Sequence, residues 1–274
     1  MTRPRLLSRL EHDRTGAGEP VVLIHGIGHR RQTWDPVTDL LAERYEVIRP
    51  DLAGFGMSPA YPSGTPYTME NACADLAANF AEWGVERPHV VGNSLGGAIA
   101  LELAARDLVA SATALSPAGF FRGPLDRGWA LATLALVKLS AMLPDRVLEA
   151  TSRSSAGRRV AGAMLYAHPE RTTAADVYGD ALALKRSPAF FPTLRAGLRY
   201  SFEATGIGVP VTVAWGTRDR LLLPGQAELA RRRLPEARHV PLPGCGHIPM
   251  IDSPELVVSL VEETIGEVGA SEVA

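Results

Sequence analysis

Lysine is nearly missing from this chain. Lys138 and Lys185 are the only two among 274 residues, so the 28 basic side chains are almost all arginine, a bias that with abundant alanine and glycine fits a GC-rich bacterial genome. Thirty acidic residues stand against them for a net charge of -2, and without a basic surplus to neutralise phosphates no nucleic-acid partner is expected. Cysteine is equally scarce. Cys73 and Cys245 form neither a disulfide framework nor a metal-ligand spacing, so both are expected as free thiols and no metal is expected. Apolar runs of bilayer length are also missing: the longest, residues 129–143, is too short and contains Lys138, so no membrane span is expected. Residues 1–11 are interrupted by Arg3, Pro4, Arg5 and Arg9 and lack the apolar centre of a secretory leader, which points to a cytoplasmic location. What is left is the composition of a soluble globular chain, 46% hydrophobic and 21% charged, long enough for one large core or a core plus a lid.

Pro20-Val21-Val22-Leu23-Ile24 is apolar without alternation, the pattern of a strand buried on both faces of a parallel sheet. A helix is expected from about Thr33, a strand over 45–50, a helix over 67–83 and a strand over 111–116. With a strand and helix on either side of Ser94, these alternate as β-α-β-α-β with short connections, which predicts an α/β fold: a mostly parallel sheet flanked by helices. Beyond Pro117 the rhythm changes. Helical patterns over 129–143, 155–166, 172–185 and 191–202 follow one another, broken by Pro144, Pro169 and Pro188. Sheet rhythm returns at 209–216, followed by a helix over 224–233, a strand over 237–241 and a helix over 254–265, with 266–274 read as a polar, frayed tail. The expected organisation is a core domain of 1–119 and 206–274 interrupted by an all-helical cap over 120–205.

The stretch that carries chemistry is Val90-Val91-Gly92-Asn93-Ser94-Leu95-Gly96-Gly97, a strand entering a G-x-S-x-G turn and leaving as an alanine-rich helix. A serine hydroxyl is a poor nucleophile at neutral pH, so it must stand at a sharp corner that a base reaches from one side and substrate from the other. Because the helix starts at the serine, the N–H of Leu95 points to where a carbonyl oxygen would turn negative. Alone, the same residues also describe a glycine-rich turn with a capping serine. Two later loops, 216–220 and 244–250, each follow the carboxyl end of a predicted strand, where open parallel sheets hold their ligands. They supply Asp219 and His247, completing the chain order serine, acid, histidine.

Five segments, His25-Gly26-Ile27-Gly28, 51–58, 92–97, 216–219 and 244–250, together resemble an α/β-hydrolase-fold serine hydrolase with a helical cap. They span nearly all of the chain outside 120–205, where only position and helical character match. The resemblance implies Ser94 as nucleophile, His247 as base and Asp219 as the carboxylate orienting it, with the N–H groups of Leu95 and Ile27 as the oxyanion hole. It also implies structural roles for His25 and Asp51. Some relatives carry the acid after the preceding strand, where Asp126 is nearest, although it lies too far past Ser116 to be preferred. Phe120, Phe121, Trp129 and Ile248 border the site by sequence position, as pocket walls or as core.

A serine nucleophile argues against the haloalkane dehalogenase and epoxide hydrolase branches, which need a carboxylate there. The expectation is hydrolysis of a small-to-medium carboxylic ester through an acyl-Ser94 intermediate, with a small-molecule substrate under the cap and no cofactor. The same triad also serves a carbon–carbon bond hydrolase, a lactonase or a cofactor-free perhydrolase. A non-catalytic receptor on the same fold is the reading from another class, though all three triad residues are present. Oligomeric state is left open.

Overall fold

In the computed structural model, which describes residues 6–271, β1 (His12–Thr15), β2 (Pro20–Ile24), β3 (Glu46–Pro50), β4 (His89–Asn93), β5 (Ser111–Leu115), β6 (Val211–Gly216) and β7 (Arg238–Leu242) form one sheet. Their order is β1-β3-β2-β4-β5-β6-β7, parallel except for β1, which runs antiparallel to β3. Successive side chains of a strand point to opposite faces, and both faces here are covered. Val22 and Ile24 therefore enter one apolar cluster while Val21 and Leu23 enter the other; Val90 and Val91 divide in the same way. Fully burying each such side chain contributes about 1.5–3 kcal/mol, which is why these strands need no polar face.

On one face lie α1 (Asp35–Ala42), through Val37 and Leu41, and the last helix. On the other lie α2 (Met69–Glu82), through Cys73, Leu76 and Phe80, and α3 (Leu95–Ala105), through Ile99 and Leu103. From β2 the chain moves outward to β3 and then returns to the opposite side of β2 as β4. The carboxyl ends of β2 and β4 thus face a crevice where the strand order reverses, the place such sheets use for ligands.

Between β5 and β6 stand α4 (Pro124–Ala141), α5 (Asp145–Arg153), α6 (Ser155–Gly162), α7 (Ala174–Arg186) and α8 (Phe190–Gly197). The insertion leaves and rejoins the sheet at one point. Phe202 N–H donates to the Gly119 carbonyl (3.2 Å), and the rings of Phe120 and Phe202 lie 5.7 Å apart, with Phe120 also edge-on to Trp215 of β6. Arg233, at the end of α9 (Gly225–Arg233), donates to the carbonyls of Gly119 and Phe202 and to Ser201 Oγ. Both lysines of the chain are spent inside the insertion. Lys138 Nζ donates to the Leu184 and Lys185 carbonyls at the end of α7, and Lys185 Nζ to the Leu143 carbonyl and Asp145, so two cations complete helix ends that would otherwise lack partners.

The observed elements depart from the sequence expectation in three places. β1 was not foreseen because His12-Asp13-Arg14-Thr15 is wholly polar; it is an edge strand held partly by ion pairs of Asp13 with Arg31 and Arg49 and of Arg14 with Glu46. α5 replaces an expected break after Pro144, which acts as its N-cap. After the short α10 (Pro249–Asp252), α11 (Pro254–Ser271) runs through the stretch read as a frayed tail. Val257, Leu260, Val261 and Ile265 anchor its earlier turns, and once nucleated a helix crosses a residue such as Gly266 at a cost of about 1 kcal/mol. Residues 1–5, part of the stretch read for a leader, and 272–274 lie outside the described residues. Among the described residues no helix is long and apolar enough to cross a membrane.

Candidate active site

Ser94 sits between β4 and α3 with φ +56° and ψ -112°, a backbone region that side-chain-bearing residues rarely adopt. Its neighbours make that corner possible. A Cβ on Gly92 would fall 2.0 Å from the Gly96 carbonyl oxygen, and one on Gly96 would fall 2.1 Å from that of Ile24. Ser94 N–H donates to the Leu115 carbonyl (3.0 Å), while the Ser94 carbonyl accepts from the N–H groups of Ala98 and Ala118 (3.0 Å each). Asn93 Nδ2 donates to the carbonyls of Leu115 (3.2 Å) and His247 (2.8 Å), tying the corner directly to the histidine loop.

His247 Nδ1 lies 2.8 Å from Asp219 Oδ2, and both residues are buried. The other oxygen of Asp219 accepts from the N–H groups of Leu221 (2.9 Å) and Leu222 (2.8 Å), so the carboxylate is fixed from two sides and aimed at the imidazole. The loops carrying the two residues are laced together by Arg218 N–H to the Cys245 carbonyl (2.8 Å) and Gly244 N–H to Thr217 Oγ1 (2.9 Å). Cys245 itself is a poor nucleophile, because burial pushes its thiol up to about 11.

A second acidic residue holds the histidine loop from behind. Buried Asp252 accepts from the N–H groups of Gly246 (2.7 Å), Ala167 (3.0 Å) and His168 (2.8 Å), and the Leu165 carbonyl accepts from those of His247 (2.8 Å) and Ile248 (3.2 Å). Asp252→Ala leaves three N–H groups without acceptors and is expected to cost about 3 kcal/mol or more. It is also expected to lower kcat more than it raises KM, because the imidazole loses its backing. Melting curves and steady-state kinetics on an ester check both.

His25 and Asp51 are occupied elsewhere. Leu52 N–H donates to His25 Nε2 (2.9 Å), so Nδ1 carries the proton and donates to the Gly26 carbonyl (2.7 Å); the ring is neutral with both nitrogens used. Asp51 Oδ1 accepts from Arg31 N–H (2.6 Å), and its Oδ2 accepts from the Arg31 guanidinium (2.5 Å) and Met57 N–H (2.9 Å). Burial lowers the pKa of His25 to about 4, partly opposed by the Asp51 carboxylate. The unfolded chain, with an ordinary histidine near about 6.5, takes up that proton first as pH falls. Stability present above about pH 6.5 is therefore lost on the way down to about pH 4, by about 3 kcal/mol for this residue. His29, His89 and His239, also lowered by burial, act in the same direction. Melting temperatures are expected to fall by several degrees between pH 7.5 and 5, and an unchanged midpoint would contradict this account.

Two apolar cavities meet at the corner. One, about 330 Å³, is walled by Leu95, Phe55, Tyr61, Leu76, Ile99 and Phe121; the other, about 400 Å³, by His247, Gly28, Tyr166, Val177, Ala181 and Leu184, among others. Ile27, Ser94, Leu134 and Leu221 border both. Of the residues expected near the site, the structure thus brings together Ser94, His247, Ile27, Leu95 and Phe121 on cavity walls, with Asp219 directly behind His247. Of the four residues read as pocket walls or as core, three line neither cavity. Phe120 packs on Phe202 and Trp215 at the root of the insertion, and Ile248 is buried in the cluster of Trp34 and Leu260. Trp129 is half-exposed, donating its indole N–H to the Arg220 carbonyl (2.8 Å). Phe120 and Ile248 thus take the core alternative, and Trp129 takes neither. Asp126, the alternative acid, is engaged by Arg122 (2.7 Å). Asp252, Leu134 and Leu221 were not foreseen: an aspartate just ahead of Ser-Pro and a helix reads as a cap, and leucines in helical or loop positions carry no signal of a cavity.

A profile of the alpha/beta hydrolase family matches residues 21–260, and the chain belongs to that family. It is 28% identical over 254 residues to Lipase 1 of Psychrobacter immobilis, covering 86% of this chain and 74% of that one. It is 26% identical over 261 residues to the pimeloyl-[acyl-carrier protein] methyl ester esterase of Nitrosomonas europaea, covering 92% and 98%. Among solved structures, the enol-lactonase from Burkholderia xenovorans LB400 superposes with a TM-score of 0.74 at 21% identity over 94% of this chain and 97% of that one, a likeness of fold. A meta-cleavage product hydrolase from Pseudomonas fluorescens shares the fold at a similar level.

Proposed function

We propose that this protein is a serine hydrolase that cleaves an uncharged carboxylic ester of small to medium size through an acyl-Ser94 intermediate. His247 takes the Ser94 proton as Oγ bonds to the carbonyl carbon, and Asp219 holds the imidazole in the tautomer that makes this possible. The carbonyl oxygen turns negative between the N–H groups of Leu95 and Ile27, neither of which has an acceptor among the described residues. Gly26 supports that pairing, since a Cβ there would come within 3.3 Å of Ser94 Cβ. The bond to the alcohol oxygen then breaks as His247 returns the proton to it, and water, activated by the same imidazole, releases the acid. Residues 120–205 serve as the cap over the site.

One observation carries this reading: a strained serine at a strand-to-helix corner shares a cavity with a histidine whose far nitrogen is held by a doubly anchored buried carboxylate. An ester is favoured over the carboxylate-bearing products of ring cleavage by the cavity wall beside His247, where no Arg or Lys stands among the described residues and where Asp180 is already paired with Arg30 (2.8 Å). Purified protein assayed on nitrophenyl esters, lactones and a dienoate ring-cleavage substrate tests this. Turnover of the dienoate alone overturns it.

A further inference from the structure

We infer that the substrate has two apolar arms of comparable size: an ester joining an apolar acid of several carbons to an apolar alcohol of several carbons. This rests on the acyl-serine reading and adds to it which cavity receives which arm. The argument starts from the proton. His247 must deliver it to the departing oxygen, and delivery needs that oxygen within about 2.6–3.2 Å of the imidazole or one water away. Of the two cavities that meet at Ser94, His247 borders only the larger, so the alcohol lies there. The acyl chain stays bonded to Ser94 after the alcohol leaves and occupies the other, along the wall that begins at Leu95.

Size and lining define the arms. A water-sized group fills roughly 30 Å³, so about 330 and 400 Å³ each admit on the order of ten such groups, far more than a methyl or ethyl ester uses on the alcohol side. Leucine, valine, alanine and aromatic side chains make up most of both walls. Leu134 of α4 and Leu221, two residues past Asp219, border both cavities, so the junction at Ser94 is itself apolar, with one arm on each side. Hydrophobic burial predicts that each methylene added to either arm, until its cavity is full, raises kcat/KM about three- to fourfold.

Two ester series test this on the intact protein: hexanoate esters of alcohols from methyl to octyl, and butyl esters of acids from acetic to decanoic, with kcat/KM followed by acid release. Both series are expected to climb at least tenfold. Ala181→Trp, in the cavity beside His247, is expected to lower the octyl-to-methyl ratio at least tenfold, whereas Met69→Trp, in the other cavity, lowers the decanoate-to-acetate ratio. Val177→Trp and Leu194→Trp repeat the test should either first variant melt early. An alcohol series that is flat or falls while the acyl series climbs overturns the inference and leaves the ester reading standing; so do variants that act on the opposite series. No turnover in either series removes the ester reading itself.

Discussion

Ser94→Ala is expected to lower kcat on any ester the protein cleaves by roughly four or more orders of magnitude, with a melting temperature close to that of the unaltered chain. The substitution keeps a Cβ in the same left-handed backbone conformation, so the strain at φ +56° is unchanged and only Oγ is lost. On the proposed mechanism no acyl-enzyme can then form, and the imidazole and oxyanion donors would be left to act only on water. His247→Ala is expected to cost about as much, and the double variant little more, because the members of such a unit fail together. A serine-directed organophosphate should give a single adduct, on Ser94, by peptide mass mapping. Activity that survived Ser94→Ala but not thiol alkylation would transfer the chemistry to Cys245, against the burial that keeps its thiol protonated.

The second large effect is on folding. Gly96→Ala is expected to remove more than about 4 kcal/mol of stability, a large share of the 5–15 kcal/mol typical of a whole domain. The new methyl would lie 2.1 Å from the Ile24 carbonyl oxygen and 2.8 Å from that of His25, both backbone atoms of the segment leading into the turn that carries Ile27. No side chain can swing aside to relieve such a contact; β2 would have to move, and with it the crevice. Gly92→Ala meets the Gly96 carbonyl at 2.0 Å with the same consequence. Gly266→Ala serves as the control, since its Cβ meets nothing within 4 Å on a helix and should stabilise by about 0.5–1 kcal/mol. Denaturant melts of the three variants decide; a Gly96→Ala protein as stable as the parent would mean that the corner is not built as described.

Residues whose chemistry shows in a local pattern were legible before any coordinates. The unbroken apolar run 20–24 announces a strand covered on both faces, and glycines spaced around Ser94 announce a backbone that must approach its neighbours closely. Asp219 and His247 could be placed because each follows a strand into a turn-rich loop. What stayed hidden depends on direction or on partners remote in sequence. Phe120 and Phe121 are adjacent, yet one fills the root of the insertion and the other faces a cavity, a difference fixed by packing on Phe202 and Trp215. Asp252 gains its role from N–H groups 84 and 85 residues away. The polar strand β1 lacks alternation altogether, and only its pairing with β3 makes it a strand.

The bonds that run from His247 and Ile248 to Leu165, and from Ala167 and His168 to Asp252, cross between the sheet and the insertion. They tie residues 165–168 of the insertion to the loop that carries the histidine. In amide hydrogen exchange, the N–H groups of His247, Ile248, Ala167 and His168 should open as a single cooperative unit and rank among the slowest outside the central strands. α4 shows the opposite character, presenting Leu125, Leu136 and Leu139 to solvent at 88%, 63% and 68% exposure, so its amides should exchange early. If α4, which carries Leu134 into both cavities, opens in this way, ligand would enter and leave while the imidazole keeps its place, separating traffic through the site from the geometry of its base.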